Sequence, residues 1–373
     1  MVLNTSNKPN SLNIKAINPQ KALPYIIHFV LCPVYGGELY KVFGKNFIFR
    51  GQSDHKYKLL PSALRGNLCK EWLKSCKEES LNEFILSNSE YLQIEAEVKI
   101  LSSFFDTCDM NKLHVPLTDR LRESVLLQID PWALFQKEEW LPKDYYEIAA
   151  LAQHYGLPTR LLDWTYDINV ALYFASMEVI KEKCMDEKLT ESEWLNRIKD
   201  RNHKTLASLK DHLQGNLDIK TDGNLNKKIE IWALDTNIIF ANKNNNLPLK
   251  IIRPRYYDND NLSAQKGLFT LWVIEKPLKK DFEPDFGATV DRTPLDKQIT
   301  DYLQQVEMEP KPYLYHITIP QSTVGEIYQY AKRNHIDAAR LFPGYAGIVQ
   351  CLKEDNLLKE FNSLQRNLQT DDK

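Results

Sequence analysis

The stretch HYGLPTRLLDWT, His154 to Thr165, runs straight into NVALYFAS, Asn169 to Ser176, and its reading decides the fold. It follows PKDYYEIAALAQHYG, Pro142 to Gly156, which has the marks of a helix. Pro142 suits a first turn, Ile148, Ala149, Ala152 and Tyr155 supply a buried stripe, and Gly156 ends it. Gly156 and Pro158 force a turn, so PTRLLDW is predicted to cross as an extended connection to a second helix. That helix is predicted from Asp167 to about Lys183, capped by Thr165 or Asp167, with Ile168, Ala171, Leu172, Ala175 and Val179 facing inward. The small residues Ala171 and Ala175 allow close approach to whatever lies beneath.

About a hundred residues upstream stands a second polar motif, FRGQ, Phe49 to Gln52. A short strand fits Asn46 to Phe49, with Phe47 and Phe49 on one face and Arg50 on the opposite face at the strand end. Between the motifs, Lys70 to about Gln128 is helical in pattern, with Leu92, Ala96, Ile100 and Phe104 along one stripe. Residues 1–18 read as a loose polar arm, and Pro19 opens a helical stretch through Leu23 to Val30 that Pro33 and Gly36-Gly37 break. A charged helical insertion is predicted at about 181–228. Strand signals follow at Ile229 to Leu234, Lys250 to Arg253, Leu268 to Ile274 and Tyr313 to Ile319, and helical ones at Pro294 to Val306, Val324 to Lys332 and Ile336 to Leu341. The expectation is one α+β domain over residues 19–355, followed by a polar tail at 356–373. Its mixed small sheet comes mainly from the C-terminal half plus the FRG strand, packed with helices of the N-terminal half.

Composition narrows the function. With 43% hydrophobic and 26% charged residues, the 373-residue chain has the material of an ordinary globular protein. Lys plus Arg number 48 against 50 Asp plus Glu, which gives no global reason to expect nucleic acid or an anionic membrane as partner. Aromatic residues are not interleaved with basic ones densely enough to predict a nucleic-acid platform, so nucleic acid is not an expected partner; KKDF and the cluster Arg253, Arg255, Tyr256, Tyr257 are the minor exceptions. The six cysteines contain no CxxC pair, and the eight histidines form no pair at metal-ligand spacing and no HEXXH, so no metal is expected. No Walker loop or GxGxxG is present. The N-terminus MVLNTSNKPNSLN lacks the pattern of a signal peptide, and the apolar run Tyr25 to Cys32 is too short to span a bilayer, so a cytoplasmic protein with reduced thiols is expected.

FRGQSDHKYKLLPSALR, Phe49 to Arg65, HYGLPTRLLDWTYDINVALYFAS, His154 to Ser176, and AQKGLFT, Ala264 to Thr270, together resemble the FRG domain family, known mostly from bacterial proteins. The long central string is the specific part, fixing about a dozen positions in order. A weaker similarity is to ADP-ribosyltransferase-like folds. Arg50-Gly51 is similar to their strand-terminal Arg, and DWTYDINVALYFA, Asp163 to Ala175, to their hydroxyl segment and following helix, with Thr165 at a hydroxyl position. Where that pattern has a Glu on a later strand, this chain offers Gln265. The resemblance implies NAD as substrate, cleaved or transferred as ADP-ribose, with Arg50, Thr165 and Gln265 in catalytic positions. By analogy with NAD-consuming bacterial proteins, it also implies a place in bacterial defence or toxicity.

The chemistry of such a ligand suits the same residues. A pyrophosphate takes bidentate Arg or bare backbone N–H groups, which Arg50 and Gly51 offer, and Gln52 and Arg160, within the two motifs, join the candidate ligand-binding set. A nicotinamide ring takes an aromatic shelf, for which Trp164, Tyr173 and Phe269 are candidates. The oxocarbenium-like state of glycosidic cleavage takes a carboxylate, and Asp163, Glu95 or Glu97 could stand in for the absent Glu. His154 completes the candidate ligand-binding set. Each has a structural alternative: Arg160 and Asp163 as an ion pair holding the connection, His154 as a helix C-terminal cap, Trp164 as a core plug. Two functions therefore stand: an NAD-binding ADP-ribosyltransferase-like enzyme, and a non-catalytic domain recognising a small anionic or nucleotide ligand.

Overall fold

The computed structural model describes residues 11–12, 46–66, 68, 72, 88–116, 122, 139–200, 227–241, 247–275, 285, 287–306 and 313–371. In chain order the elements used below are β1 (Ser11–Leu12), β2 (Phe47–Gln52), α1 (Glu90–Met110), α2 (Tyr146–His154), β3 (Leu162–Thr165), α3 (Ile168–Asp200), β4 (Lys228–Asp235), β5 (Leu249–Ile252), α4 (Asp260–Ala264), β6 (Gly267–Trp272), α5 (Leu295–Gln305), β7 (Leu314–Pro320), α6 (Val324–Arg333), α7 (Ala338–Leu341) and α8 (Tyr345–Asp371). The class is α+β. The chain folds into two compact units, one of residues 1–57, 167–234 and 314–373, the other of 58–166 and 235–313. Among the described residues no helix is long and apolar enough to cross a membrane.

In the first unit the strands lie in the order β1, β7, β4, β2. β4 and β7 pair antiparallel from Lys228 opposite Pro320 to Leu234 opposite Leu314, and β1 joins β7 in parallel. Strand alternation divides this sheet into two faces. Phe47, Phe49, Ile229, Ile231, Ala233, Ile317 and Ile319 join one core with Ala171, Ala175 and Val179 of α3 and Val324 and Ile327 of α6. Arg50, Gln52, Glu230, Trp232, His316 and Thr318 occupy the alternate positions. Gly51 explains how α3 comes so close: a Cβ there would lie 2.0 Å from the Ala171 carbonyl oxygen and 3.0 Å from the Ala175 Cβ. The two alanines one turn apart are what lets the helix rest on a strand glycine.

In the second unit β3, β6 and β5 form an antiparallel sheet, with Leu162 opposite Thr270 and Ile252 opposite Phe269. Phe269, Leu271 and Ile252 share a core with Leu92, Ala96 and Ile100 of α1 and Ile148, Ala149 and Ala152 of α2. These are the expected stripes, with two departures. Phe104 is only half-buried while Phe105 is 2% exposed, and Tyr155, expected inside, is 67% exposed because Gly156 at φ +91° turns the chain away just beyond it.

The four late strands, β2, and helices at the predicted places are present. The connection after Gly156 is more than extended: Leu162 to Thr165 is a strand, paired along its length with β6. α8 was not anticipated, and it continues through the segment read as a tail, burying Leu358 and Phe361. The helical reading of 70–128 is described at 90–110, and the Pro19 helix lies outside the described residues. Of the insertion, α3 runs on to Asp200, and residues 201–226 lie outside the described residues.

Gly51→Ala tests the helix–strand approach. Overpacking against a backbone carbonyl is expected to lower unfolding free energy by on the order of 3 kcal/mol, measured by urea denaturation. An unchanged midpoint would show that α3 does not depend on this contact.

Candidate functional site

Side chains on the alternate face of the first unit's sheet form a polar cluster. Trp232 Nε1 donates to Gln52 Oε1 at 2.9 Å, so Gln52, 4% exposed, is held beneath the indole. The His316 ring stacks on Trp232, with centroids 5.1 Å apart and planes at 21°. His316 Nδ1 lies 2.6 Å from Glu230 Oε1, and Glu230 is 2% exposed. The second oxygen, Glu230 Oε2, is buried with no hydrogen-bond partner among the described residues. The Ser53 hydroxyl, one residue beyond β2, is likewise buried without one, while its carbonyl accepts from Gln321 Nε2 at 2.7 Å. Arg50 is half-buried and shares this face by strand alternation with Gln52. The cluster thus has a guanidinium, a carboxylate, an imidazole and an indole on three adjacent strands. Sequence reading found Arg50 and Gln52 but missed Glu230, Trp232 and His316. The available signal was a carboxylate between Ile229 and Ile231 in an otherwise apolar run.

Gly51 points the other way, against α3, and Tyr173 is 1% exposed in the same core. The Tyr173 hydroxyl donates to the buried Glu354 carboxylate at 2.8 and 2.9 Å, and burial with that carboxylate pushes the phenol pKa upward. Tyr173 is therefore no ligand shelf.

The second unit holds the PTRLLDW segment by a buried ion network. Arg160, 5% exposed, donates through Nε to Glu97 Oε1 at 2.8 Å and Oε2 at 2.9 Å, and through a terminal nitrogen to Glu90. Glu97 also accepts from Gln93 Nε2 at 2.8 Å and Trp140 Nε1 at 2.6 Å. Burial opposes the charge on Arg160, but Glu97 and Glu90 outweigh it and hold the guanidinium pKa above its usual value. Burial pushes the Glu97 carboxyl up against the pull of Arg160; since all its partners are donors, the ionised form is the one this geometry accommodates. Arg160 and Asp163 do not pair: Asp163 is exposed and accepts from Gln153 Nε2 at 3.1 and 3.2 Å. Arg160 and Glu97 are thus engaged internally.

The rest of the candidate set divides along β3. Trp164 is 3% exposed and donates through Nε1 to Thr270 Oγ1 at 2.8 Å, and Phe269 is 2% exposed; both are core residues and not shelves. Thr165 and Gln265 do meet, but through the Gln265 main chain: Thr165 Oγ1 donates to its carbonyl at 2.8 Å. His154 is the last residue of α2, half-buried, as a C-terminal cap would be. Burial lowers its pKa from the ordinary 6.5, with Asp163 opposing. Among the described residues no group of three or more His, Cys, Asp or Glu side chains could hold a metal ion.

Two predictions follow from these contacts. Arg160→Met strands two buried carboxylates and is expected to cost about 3–5 kcal/mol of unfolding free energy. Adding Glu97→Gln should restore part of it, and additive losses in the double variant would contradict the coupling. For His154 the lowered folded pKa means that the unfolded chain takes up the proton first on acidification. Its contribution is present above pH about 6.5 and lost as pH falls through the folded value. A chemical-denaturation pH profile should therefore be flatter for His154→Asn than for the parent.

Compared with known families, the FRG domain model matches residues 45–184. No curated protein and no solved structure matches the chain.

Proposed function

We propose that this chain, which carries an FRG domain over residues 45–184, recognises a small anionic ligand of nucleotide type on the Arg50 face of its first unit. One observation carries the reading: the buried Glu230 carboxylate has an oxygen without a hydrogen-bond partner among the described residues, on the face that also carries Arg50. A buried acceptor left unmade costs about 1–3 kcal/mol, and a hydroxyl or N–H of a bound molecule relieves it. A ligand that supplies this donor and also carries an anionic group suited to a guanidinium fits the face. A nucleotide has its phosphate and its ribose hydroxyls in that relation, and the partly exposed His316 ring, stacked on the buried Trp232, adds an aromatic surface for a ring.

Glu230 also favours a second reading, cleavage of NAD with release or transfer of ADP-ribose. It is a strand-borne carboxylate on the face of Arg50, able to offset oxocarbenium charge where Gln265 offers only an amide. The recognition reading takes precedence because Trp164, Tyr173 and Phe269, the shelves that nicotinamide would use, are core residues.

Purified protein is melted with AMP, ADP-ribose and NAD in turn. Saturating AMP or ADP-ribose at about a hundred times Kd should stabilise the fold by about 2.7 kcal/mol, and Arg50→Ala and Glu230→Gln should abolish the shift with circular dichroism unchanged. Nicotinamide release from NAD that vanishes in Arg50→Ala would give the place to the enzyme reading. No shift with any of the three would sink both.

A further inference from the structure

The strand ends of the second unit carry a basic and aromatic rim that the Arg50 face does not involve, and of its residues only Tyr166 falls within the FRG match at residues 45–184. Tyr166 follows β3, Lys266 precedes β6, and Arg253 follows β5; the Tyr166 N–H donates to the Lys266 carbonyl at 3.2 Å. The antiparallel pairing brings these three ends together. The Arg253 guanidinium carbon lies 4.8 Å from the Tyr256 ring centroid and 5.9 Å from that of Tyr166, within cation–π reach of both rings. Tyr256 is fixed in turn by its hydroxyl, which donates to the Gly267 carbonyl at 3.0 Å. Beyond it Tyr257 is 94% exposed and Tyr166 is 41% exposed, while Arg253, Arg255 and Lys266 are exposed. Carboxylates stand nearby in the same unit as well: Glu147 accepts the Arg255 main-chain N–H through Oε2 at 3.2 Å, Asp258 follows Tyr257 in sequence, and Asp260 is exposed.

We propose that this rim binds single-stranded nucleic acid, with bases stacking on Tyr257 and Tyr166 and the sugar-phosphate backbone running along Arg253, Arg255 and Lys266. The partner follows from the alternation: exposed π-faces take bases of any identity, and interleaved cations take the phosphates between them. A folded acidic protein would use the cations but not two exposed tyrosines. A duplex hides its base faces. The chain's net charge of −2 does not decide the matter, because attraction at the rim is local.

The full chain is titrated into a fluorescently labelled oligothymidylate and an oligouridylate of about twelve nucleotides, a length within the range of single-strand sites. Binding is followed by anisotropy at several salt concentrations. Saturable binding is expected, weakened about tenfold by Tyr257→Ala, the loss of one stacked base. Removing one phosphate contact with Arg255→Ala should reduce the salt slope by roughly 0.7. Both residues are exposed, and unchanged melting temperatures confirm intact folds. Preference for either sugar supports the proposal. Three results overturn it: no binding at low salt, binding unaffected by both variants, or displacement by AMP at the same concentration as by unlabelled oligonucleotide, which would make the rim a mononucleotide site. Arg50→Ala is run alongside: it should leave oligonucleotide binding unchanged, so failure at one site is distinguishable from failure at the other.

Discussion

One guanidinium with carboxylates on two sides of it sets the course of the central motif. Arg160 takes both oxygens of Glu97 through one nitrogen and reaches Glu90 with another. Removing three charged groups from water costs several kcal/mol per ion, and only close geometry with the remaining valences filled offsets it. Gln93 and Trp140 fill those of Glu97, and the Asp291 N–H donates to Glu90 at 3.2 Å. The segment is thereby tied to α1, and β3 leaves the anchor in fixed register with β6. That register turns Trp164 inward and Asp163 outward. The demanding string RLLDW is therefore explained by folding before any ligand is invoked.

The first unit obeys a different constraint, steric and not electrostatic. Gly51 lets α3 lie directly on β2, and the close contact commits the side bearing Phe47 and Phe49 to the core. Alternation then leaves Arg50 and Gln52 on the opposite side with Glu230, Trp232 and His316. The tripeptide that marks this segment divides its labour accordingly: the aromatic and the glycine secure packing, and the arginine is presented by them.

Periodicity was readable wherever a single element determined it. The stripes of α1, α2 and α3 and the apolar runs of β4, β6 and β7 gave the α+β class, because burial on one face imposes the pattern directly. What depended on partners distant in sequence was not readable. Leu162 to Thr165 is too short to show alternation, and its strand character comes from β6, about a hundred residues later. Arg160 was read against Asp163, three residues away, whereas its acceptors lie 63 and 70 residues upstream. Trp164 and Phe269 looked like shelves for a ring because an aromatic residue in sequence does not declare which side of a sheet it will take. α8 was missed because four of its apolar residues, Tyr345, Ile348, Val349 and Leu352, stand on its exposed side and blur the stripe that Leu358 and Phe361 complete.

Glu230 carries the functional argument furthest, since a carboxylate only 2% exposed is costly unless its oxygens are partnered. Ile229 and Ile231, 0% and 1% exposed, pack on the opposite face, so the aliphatic contacts of this strand are made without Glu230. His316 accounts for one oxygen of the carboxylate. The other, with no partner among the described residues, is a desolvated acceptor, a destabilising feature that burial of aliphatic groups does not relieve. Arg160 and Glu97 show that this fold can satisfy a buried carboxylate completely when its role is structural. An acceptor left open on the face that carries a half-buried arginine is the opposite arrangement, and under the proposed function the free energy it forgoes in folding would be regained on binding a donor-bearing anion.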